Sequence, residues 1–352
     1  MLTLNVRSSL GAYDVKISSG SLASGISADF GIIDANLVEP GRWNFTATET
    51  LFASEAEKSL DSVTRMLRRM ADAKISRLSS VLALGGGTVQ DVATLTFSLY
   101  MRGVQWTYIP STLMSMVDSC IGGKSSINFE GRKNLIGNFF PPSEVLVDPS
   151  IVGSQSTLGK VSGLSEAAKI HFARGEDSFQ DFLGNPASLK PAAGEDLDRL
   201  VWATLNAKKW FIEEDEFDLG SRRLLNFGHT FGHALEAASS FRIPHGIAIG
   251  VGMLAAVEFS SVKAQSLLDD LCVFLIRLLQ PVKNELATWK SNVDWVIFRE
   301  GIAHDKKSSK EFLVFVVPTK DGSLKISSYS NKAEVIERAT EAMQTAFLRV
   351  GV

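Results

Sequence analysis

The chain has 352 residues, 45% of them hydrophobic, which is longer than one core ordinarily grows and predicts two domains. A formal net charge of −3 supplies no basic excess for a nucleic-acid partner. Two distant cysteines, Cys120 and Cys272, argue against a disulfide framework and for a reducing compartment. No basic-then-apolar leader opens the chain, and no run of about 18 apolar residues occurs, so a cytoplasmic protein without a membrane span is expected.

In chain order, residues 2–6 and 13–18 alternate apolar and polar side chains and predict two short strands joined by a turn. Phe30 to Asp34 reads as a buried strand ending in a carboxylate. Residues 54–73 form an amphipathic helical pattern with Leu60, Val63, Met66, Leu67 and Met70 on one stripe. Val81 to Leu84 is a short apolar strand; Gly85, Gly86 and Gly87 follow, then a helix through Leu99. Trp106 to Ile109 and Glu144 to Val147 predict further strands. Strands alternating with helices imply a parallel sheet. Beyond about residue 155 helical patterns dominate, over 164–183, 195–214, 225–239, 246–264, 266–280 and 333–347, with one β-like stretch at 311–317. The expected organisation is an α/β domain over 1–155 and a mostly helical domain over 156–352.

The densest chemistry lies in Asn226-Phe-Gly-His229-Thr-Phe-Gly-His233, with His245 after Pro244: three of the chain's five histidines within seventeen residues. His229 and His233 are four apart, so a helix projects both rings from one face. Imidazole is the commonest metal ligand at neutral pH, and Glu166, at a helix start, is the best further donor. Capping or core histidines are the plainer alternative. Three glycines between a strand and a helix suit a pyrophosphate, because the backbone can approach and the helix N-terminus carries partial positive charge; a tight turn alone would look the same. Asp34 at a strand end could hold ribose hydroxyls or simply cap a turn. Lys124 after two glycines, and Lys133-Asn134 before another, could bind phosphate oxygens, or be solvated loop residues. Arg222, downstream of Lys208, could grip a carboxylate in a fork.

These motifs occur in the order of a known family. Gly85-Gly-Gly-x-x-x-Asp91, Met101-Arg-Gly103, Pro110-Ser-Thr-Leu113, Val117-Asp-Ser119, Gly122-Gly-Lys124, Lys133-Asn-x-Ile-Gly137, Glu166-x-x-Lys169, Arg222 to His233 and His245-Gly246 together resemble 3-dehydroquinate synthase, within the sugar phosphate cyclases, from about residue 30 to 310. The resemblance implies a Rossmann-like NAD-binding α/β domain, a mostly α-helical C-terminal domain, a bound zinc (or cobalt) ion and a homodimer. It assigns Glu166, His229 and His245 to the metal and His233 to catalysis beside it. Asp34, Glu55, Lys58, Gly86, Gly87, Asp91, Ser111, Thr112 and Lys133 match NAD-holding positions. Asp118, Lys124, Asn134, Lys169, Lys208, Arg222 and Asn226 match substrate-contacting ones. Arg102 matches an arginine that reaches the phosphate across the dimer interface, and Lys306 or Lys307 completes the phosphate site.

The implied substrate is the phosphorylated sugar acid 3-deoxy-arabino-heptulosonate 7-phosphate. Three departures favour a specialised pathway: Thr157 to Gly163 lacks the family's Leu-Pro-x-Arg, Ile247 stands where a glutamate usually follows His-Gly, and His171 follows Lys169 where an aromatic or small residue is usual. The alternatives are a cyclase acting on an amino analogue or on sedoheptulose 7-phosphate, and a metal-dependent polyol dehydrogenase, which would not need the lysine-rich phosphate cluster.

Overall fold

The computed structural model describes residues 1–38, 43–130, 132–262, 266–304 and 311–352. They form two compact units, Met1–Gln155 with Pro191–Phe217, and Ser156–Lys190 with Asp218–Val352. The chain passes between the units after residues 155, 190 and 217. The expected single C-terminal block differs from this division, because Pro191–Phe217 belongs to the first unit.

The first unit is built on β1 (Leu2–Val6), β2 (Tyr13–Ile17), β3 (Ile26–Asp34), β4 (Trp43–Leu51), β5 (Val81–Gly85), β6 (Trp106–Pro110), a hairpin of β7 (Ile127–Phe129) and β8 (Arg132–Ile136), and β9 (Glu144–Val147). Its helices are α1 (Leu60–Asp72) and α2 (Gly87–Leu99). Seven strands form one sheet in the order β1-β2-β9-β6-β5-β3-β4, parallel except for the antiparallel β1–β2 pair. All five residues of β5 are buried, as expected of a parallel strand covered on both faces. Leu22, Ile33, Leu82, Leu84 and Ile109 form a core cluster on this sheet. From β3 the chain goes outward to the edge at β4, then returns to β3's other side at β5. The C-terminal ends of β3 and β5 therefore flank the point where the strand order reverses, where ligands of such sheets bind. Asp34 ends β3 and Gly85 ends β5.

The chain then makes α3 (Thr157–Arg174) and α4 (Glu176–Gly184) in the second unit and α5 (Glu195–Glu214) in the first. The apolar face of α5, including Leu197, Leu200, Val201 and Phe211, is buried, and the helix packs on β1 and β2. This burial is what draws the segment into the first unit. In place of one helix over 164–183, the chain breaks at Gly175, whose φ of 123° ends α3.

The rest of the second unit comprises α6 (His229–Ala238), α7 (His245–Ser260), α8 (Ser266–Leu279), α9 (Lys283–Lys290), α10 (Trp295–Ala303), the antiparallel hairpin β10 (Phe312–Pro318) and β11 (Leu324–Ser330), and α11 (Ala333–Val350). Thirteen of the sixteen residues of α7 are buried, so this helix is the axis on which α3, α6 and α11 pack. Two glycines set how close the helices come. A Cβ on Gly252 would lie 2.3 Å from the Gly228 carbonyl oxygen, and one on Gly246 would lie 2.1 Å from that of Ser162. No described helix is long and apolar enough to cross a membrane.

Candidate active site

In the second unit three helices converge on one group of donors. Glu166, fully buried on α3, has Oε1 3.3 Å from His245 Nε2 and 4.0 Å from His229 Nε2. His229 opens α6 and His245 opens α7 directly after Pro244, so both rings sit at helix starts. His233 lies one turn along α6. One ring nitrogen from each of His229, His233 and His245 falls within 4.8 Å of the others. The expected metal ligands and the expected catalytic histidine are thus brought together, with His233 the exposed member. Lys169, also buried, forms an ion pair with Glu166 one turn away on α3.

The electrostatics of this cluster favour a cation. Burial alone would push the His245 imidazolium down, but hydrogen bonds and charge from Glu166 and Glu236 outweigh it and raise its pKa to about 10. The carboxylates that favour a proton there favour a metal ion for the same reason. Two or three imidazole nitrogens with one carboxylate oxygen is a donor set that suits zinc. Glu236 was not among the residues picked from the sequence. Its place three residues after His233 and seven after His229, on the same face of α6, is the signal that could have found it.

Arg222 sits on the 3-10 turn Ser221–Asn226, which packs on α3 and β11, and is 3% exposed. Asn226 ends that turn and donates from Nδ2 to the Arg223 carbonyl at 3.0 Å. Lys306 and Lys307 lie outside the described residues.

In the first unit the candidate nucleotide residues fall into two neighbouring sets. At the end of β5, Gly86 is the N-cap of α2 and Gly87 its first residue. A Cβ on Gly87 would meet no atom within 4 Å, whereas one on Gly86 would meet the Thr112 side chain at 3.1 Å. The helix start is therefore open above Gly87, with Ser111 held beside it by a hydrogen bond from its amide to the Gly85 carbonyl. This open glycine at a helix N-terminus, at the sheet's switch point, fits a pyrophosphate. Asp34 is buried and accepts from the Asn36 amide at 3.0 Å, so it does cap the following turn, at the same end of the sheet.

The second set is a charged network. Lys58 Nζ lies 2.8 Å from Asp91 Oδ2 and donates to Asn134 Oδ1 at 2.7 Å. Lys133 Nζ is 3.4 Å from Glu55 Oε1, which also accepts from Asn128. Burial raises the Asp91 carboxyl above its ordinary value, although Lys58 and the Ser126 amide act against the rise. Glu55, Lys58, Asp91, Lys133 and Asn134, distant in sequence, are thus one assembly, and Asn134 takes part in it with a φ of 51°.

Lys208 on α5 reaches Asp118 Oδ1 at 2.6 Å and the carbonyl oxygens of Asp118 at 2.5 Å and Ile121 at 3.3 Å. Gln90 and Ser119 exchange two hydrogen bonds of 2.6 Å that tie the same loop to α2. Lys124 stands over the Phe139 ring, 6.0 Å from its centroid. Arg102 is exposed at a surface corner where Met101, Arg102 and Gly103 all have positive φ, held by Arg77 through the Met101 carbonyl.

Residues 48–160 match the 3-dehydroquinate synthase N-terminal family model and residues 163–308 the C-terminal one. A 3-dehydroquinate synthase of Saccharolobus solfataricus is 31% identical over 77% of each chain, and one of Clostridium tetani is 33% identical over 82% of this chain and 76% of the relative. Among solved structures, 2-deoxy-scyllo-inosose synthase complexed with carbaglucose-6-phosphate, NAD+ and Co2+ superposes with a TM-score of 0.81 at 20% identity, over 97% of this chain and 99% of the other. The 2-epi-5-epi-valiolone synthase of Streptomyces hygroscopicus gives 0.78 at 22%, over 95% and 97%. A probable glycerol dehydrogenase of Sinorhizobium meliloti gives 0.65 at 13%, over 96% and 97%. With both halves of the chain matched by the same family, and relatives above 30% identity over most of their length, the chain belongs to the 3-dehydroquinate synthase family and is a 3-dehydroquinate synthase-like sugar phosphate cyclase.

Proposed function

We propose that the chain converts 3-deoxy-arabino-heptulosonate 7-phosphate to 3-dehydroquinate and phosphate, with NAD held in the first unit and one zinc or cobalt ion in the second. The observation that carries this reading is the Glu166, His229 and His245 cluster, set in a chain whose relatives at 31–33% identity are 3-dehydroquinate synthases. Gly86, Gly87, Ser111, Thr112 and Asp34 would hold the dinucleotide, with Glu55, Lys58, Asp91 and Lys133 beside them. Bound there, NAD supplies a reversible hydride acceptor and the divalent cation supplies Lewis acidity toward a substrate hydroxyl.

The chain's own groups position charge and protons. His233, exposed beside the metal ligands, holds or releases a proton at a ring nitrogen facing the substrate. Lys169 pairs with the buried Glu166 carboxylate and holds it in place. Arg222 is the group that would grip a substrate carboxylate through its fork, and Lys124 and Asn134 would bind phosphate oxygens. Substrate and 3-dehydroquinate differ only by the elements of phosphoric acid, which leaves as phosphate, so the reaction is redox-neutral overall. A homodimer in the cytoplasm, with Arg102 serving the partner's phosphate site, completes the reading.

A second reading has its own observation. Lys208, one of four cationic residues matched to substrate positions, directs its ammonium at Asp118 Oδ1 and at two backbone carbonyls. Those three protein acceptors match the three donors of the ammonium, which favours a cyclase for a sugar phosphate that lacks a carboxylate, such as sedoheptulose 7-phosphate. The test is phosphate release from a panel of heptulose phosphates by the protein loaded with NAD and zinc, with absorbance at the NADH band followed in parallel. The proposal expects the sugar acid to be turned over fastest, with many phosphates released per NAD and no NADH accumulating. Preference for the carboxylate-free sugar moves the assignment to the second reading. One NADH per product moves it to a dehydrogenase.

A further inference from the structure

We propose that Glu236 is the positioning residue of the metal centre: from α6 it fixes the His245 imidazole in the orientation and tautomer that ligation needs. The inference rests on the metal reading above. Glu236 Oε2 lies 3.1 Å from His245 Nδ1, while Nε2 of the same ring faces Glu166 Oε1 at 3.3 Å. A neutral imidazole has one protonated nitrogen and one with a lone pair. An acceptor on Nδ1 places the proton there and leaves Nε2 for the cation. His229 shows the same arrangement with a weaker partner, its Nδ1 3.2 Å from the Phe227 carbonyl.

Two features make Glu236 more than an incidental neighbour. The residue directly after His245-Gly246 is Ile247, fully buried and without a polar group, so α7 offers His245 no carboxylate from that position. The carboxylate comes from α6 instead, and α6 is held against α7 by backbone contact. A Cβ on Gly252 would lie 2.9 Å from the Gly232 amide nitrogen, and one on Gly232 would lie 3.1 Å from the Ala248 carbonyl oxygen. Glu236 follows Gly232 by one turn, so its reach to His245 is set by a helix crossing that cannot relax outward without losing that packing. Glu236 also adds a second negative charge beside Glu166, which favours a cation at this cluster.

Metal affinity is measured on the whole chain by competition with a chromophoric chelator, using zinc for wild type, Glu236→Ala, Glu236→Gln and His245→Ala. The visible spectrum of each cobalt-loaded protein and the affinity for NAD are recorded alongside. Loss of an outer partner of a metal-bound histidine weakens binding by about 10–100-fold, and that loss is expected for Glu236→Ala. Glu236→Gln keeps the shape and an acceptor oxygen but loses the charge, and is expected to fall between Ala and wild type. Altered cobalt bands with unchanged NAD affinity mark a change of ligand orientation, which loss of general stability would not produce. Wild-type affinity and spectrum in both Glu236 variants overturn this proposal, while failure of His245→Ala alone to bind leaves the metal reading standing. A wild-type protein that takes up no zinc or cobalt overturns both. If Glu236→Ala does not fold, the isosteric Gln variant decides: unchanged affinity overturns the proposal.

Discussion

At the scale of single residues, the substrate question turns on Arg222. It is 3% exposed, on a short turn packed between α3 and β11, so its charge needs an anionic partner to be tolerated. If that partner includes a substrate carboxylate, Arg222→Met leaves the anion unmatched and costs about 2–5 kcal/mol. That is roughly 30-fold to several thousand-fold in kcat/KM on the sugar acid, against little change on sedoheptulose 7-phosphate. Equal losses on both substrates would show that Arg222 serves something the two share. His171, a departure from the family pattern, proves to be a buried structural histidine. It is bonded through Nδ1 to Ser178 Oγ at 2.8 Å and stacked on Phe182 at 5.0 Å. Burial holds its pKa down at about 4, against a small opposing effect of Ser178. The folded state therefore stays neutral while the unfolded chain takes up a proton below about pH 6.5. Stability from this residue is complete above that pH and is lost as pH falls toward 4, by about 3 kcal/mol in all. His171→Phe should reduce proton uptake on unfolding by about one across that window, read from the pH dependence of the urea midpoint relative to wild type. An unchanged slope would show that His171 is already charged in the fold. The histidine cluster was legible in the sequence, because helical spacing pairs His229 with His233 and His245 follows soon after, whereas the choice of Glu166, His229 and His245 as metal ligands came from the family resemblance. Glu236 was not legible, because its partner His245 lies on another helix, and only the α6–α7 crossing brings the two together.

At the scale of elements, the turn from β5 into α2 carries a clear expectation. A Cβ at Gly87 would meet no protein atom within 4 Å. Gly87→Val should thus leave the fold intact and weaken NAD binding by blocking backbone approach. Titration by intrinsic fluorescence, with thermal melting as the fold control, reads both. Unchanged NAD affinity would place the dinucleotide elsewhere. The strands β1, β2, β5 and β9 and helix α5 were readable closely, because each carries a clean period or a short apolar run. The capping Ser59, whose side chain accepts from the Ser62 amide, starts α1 six residues later than the amphipathic stripe alone suggested. Strand β4 was missed although Trp43, Phe45 and Ala47 alternate with polar residues, since an exposed edge strand lacks the apolar density of its neighbours. The hairpin of β7 and β8 is short and mostly exposed, so pairing and not burial defines it. Helices α9 and α10 are eight and nine residues long, too short for a period to stand out.

At the scale of the whole molecule, each proposed cofactor has its protein donors within one unit. Glu166, His229 and His245 belong to the second unit, and Asp34, Gly86, Gly87, Asp91, Ser111 and Thr112 to the first. A ligand that binds only the folded form stabilises it by RT ln(1 + [L]/Kd), about 2.7 kcal/mol at a hundredfold excess over Kd. For units of this size each kcal/mol moves a midpoint by about 2–4 °C, so either ligand should raise the melting of its own unit by about 5–11 °C. Hydrogen exchange read peptide by peptide separates the two effects, because protection follows the local opening that the ligand opposes. Zinc added to metal-free protein should slow exchange along α3, α6 and α7, which carry its ligands, and leave β3 and β5 nearly unchanged. NAD should do the reverse, protecting the ends of β3 and β5 and the start of α2. If zinc protects the first unit as strongly as the second, the metal is held by residues of both and the ligand assignment is wrong. If NAD leaves β5 and α2 unprotected while binding tightly, the glycine turn is not its cradle.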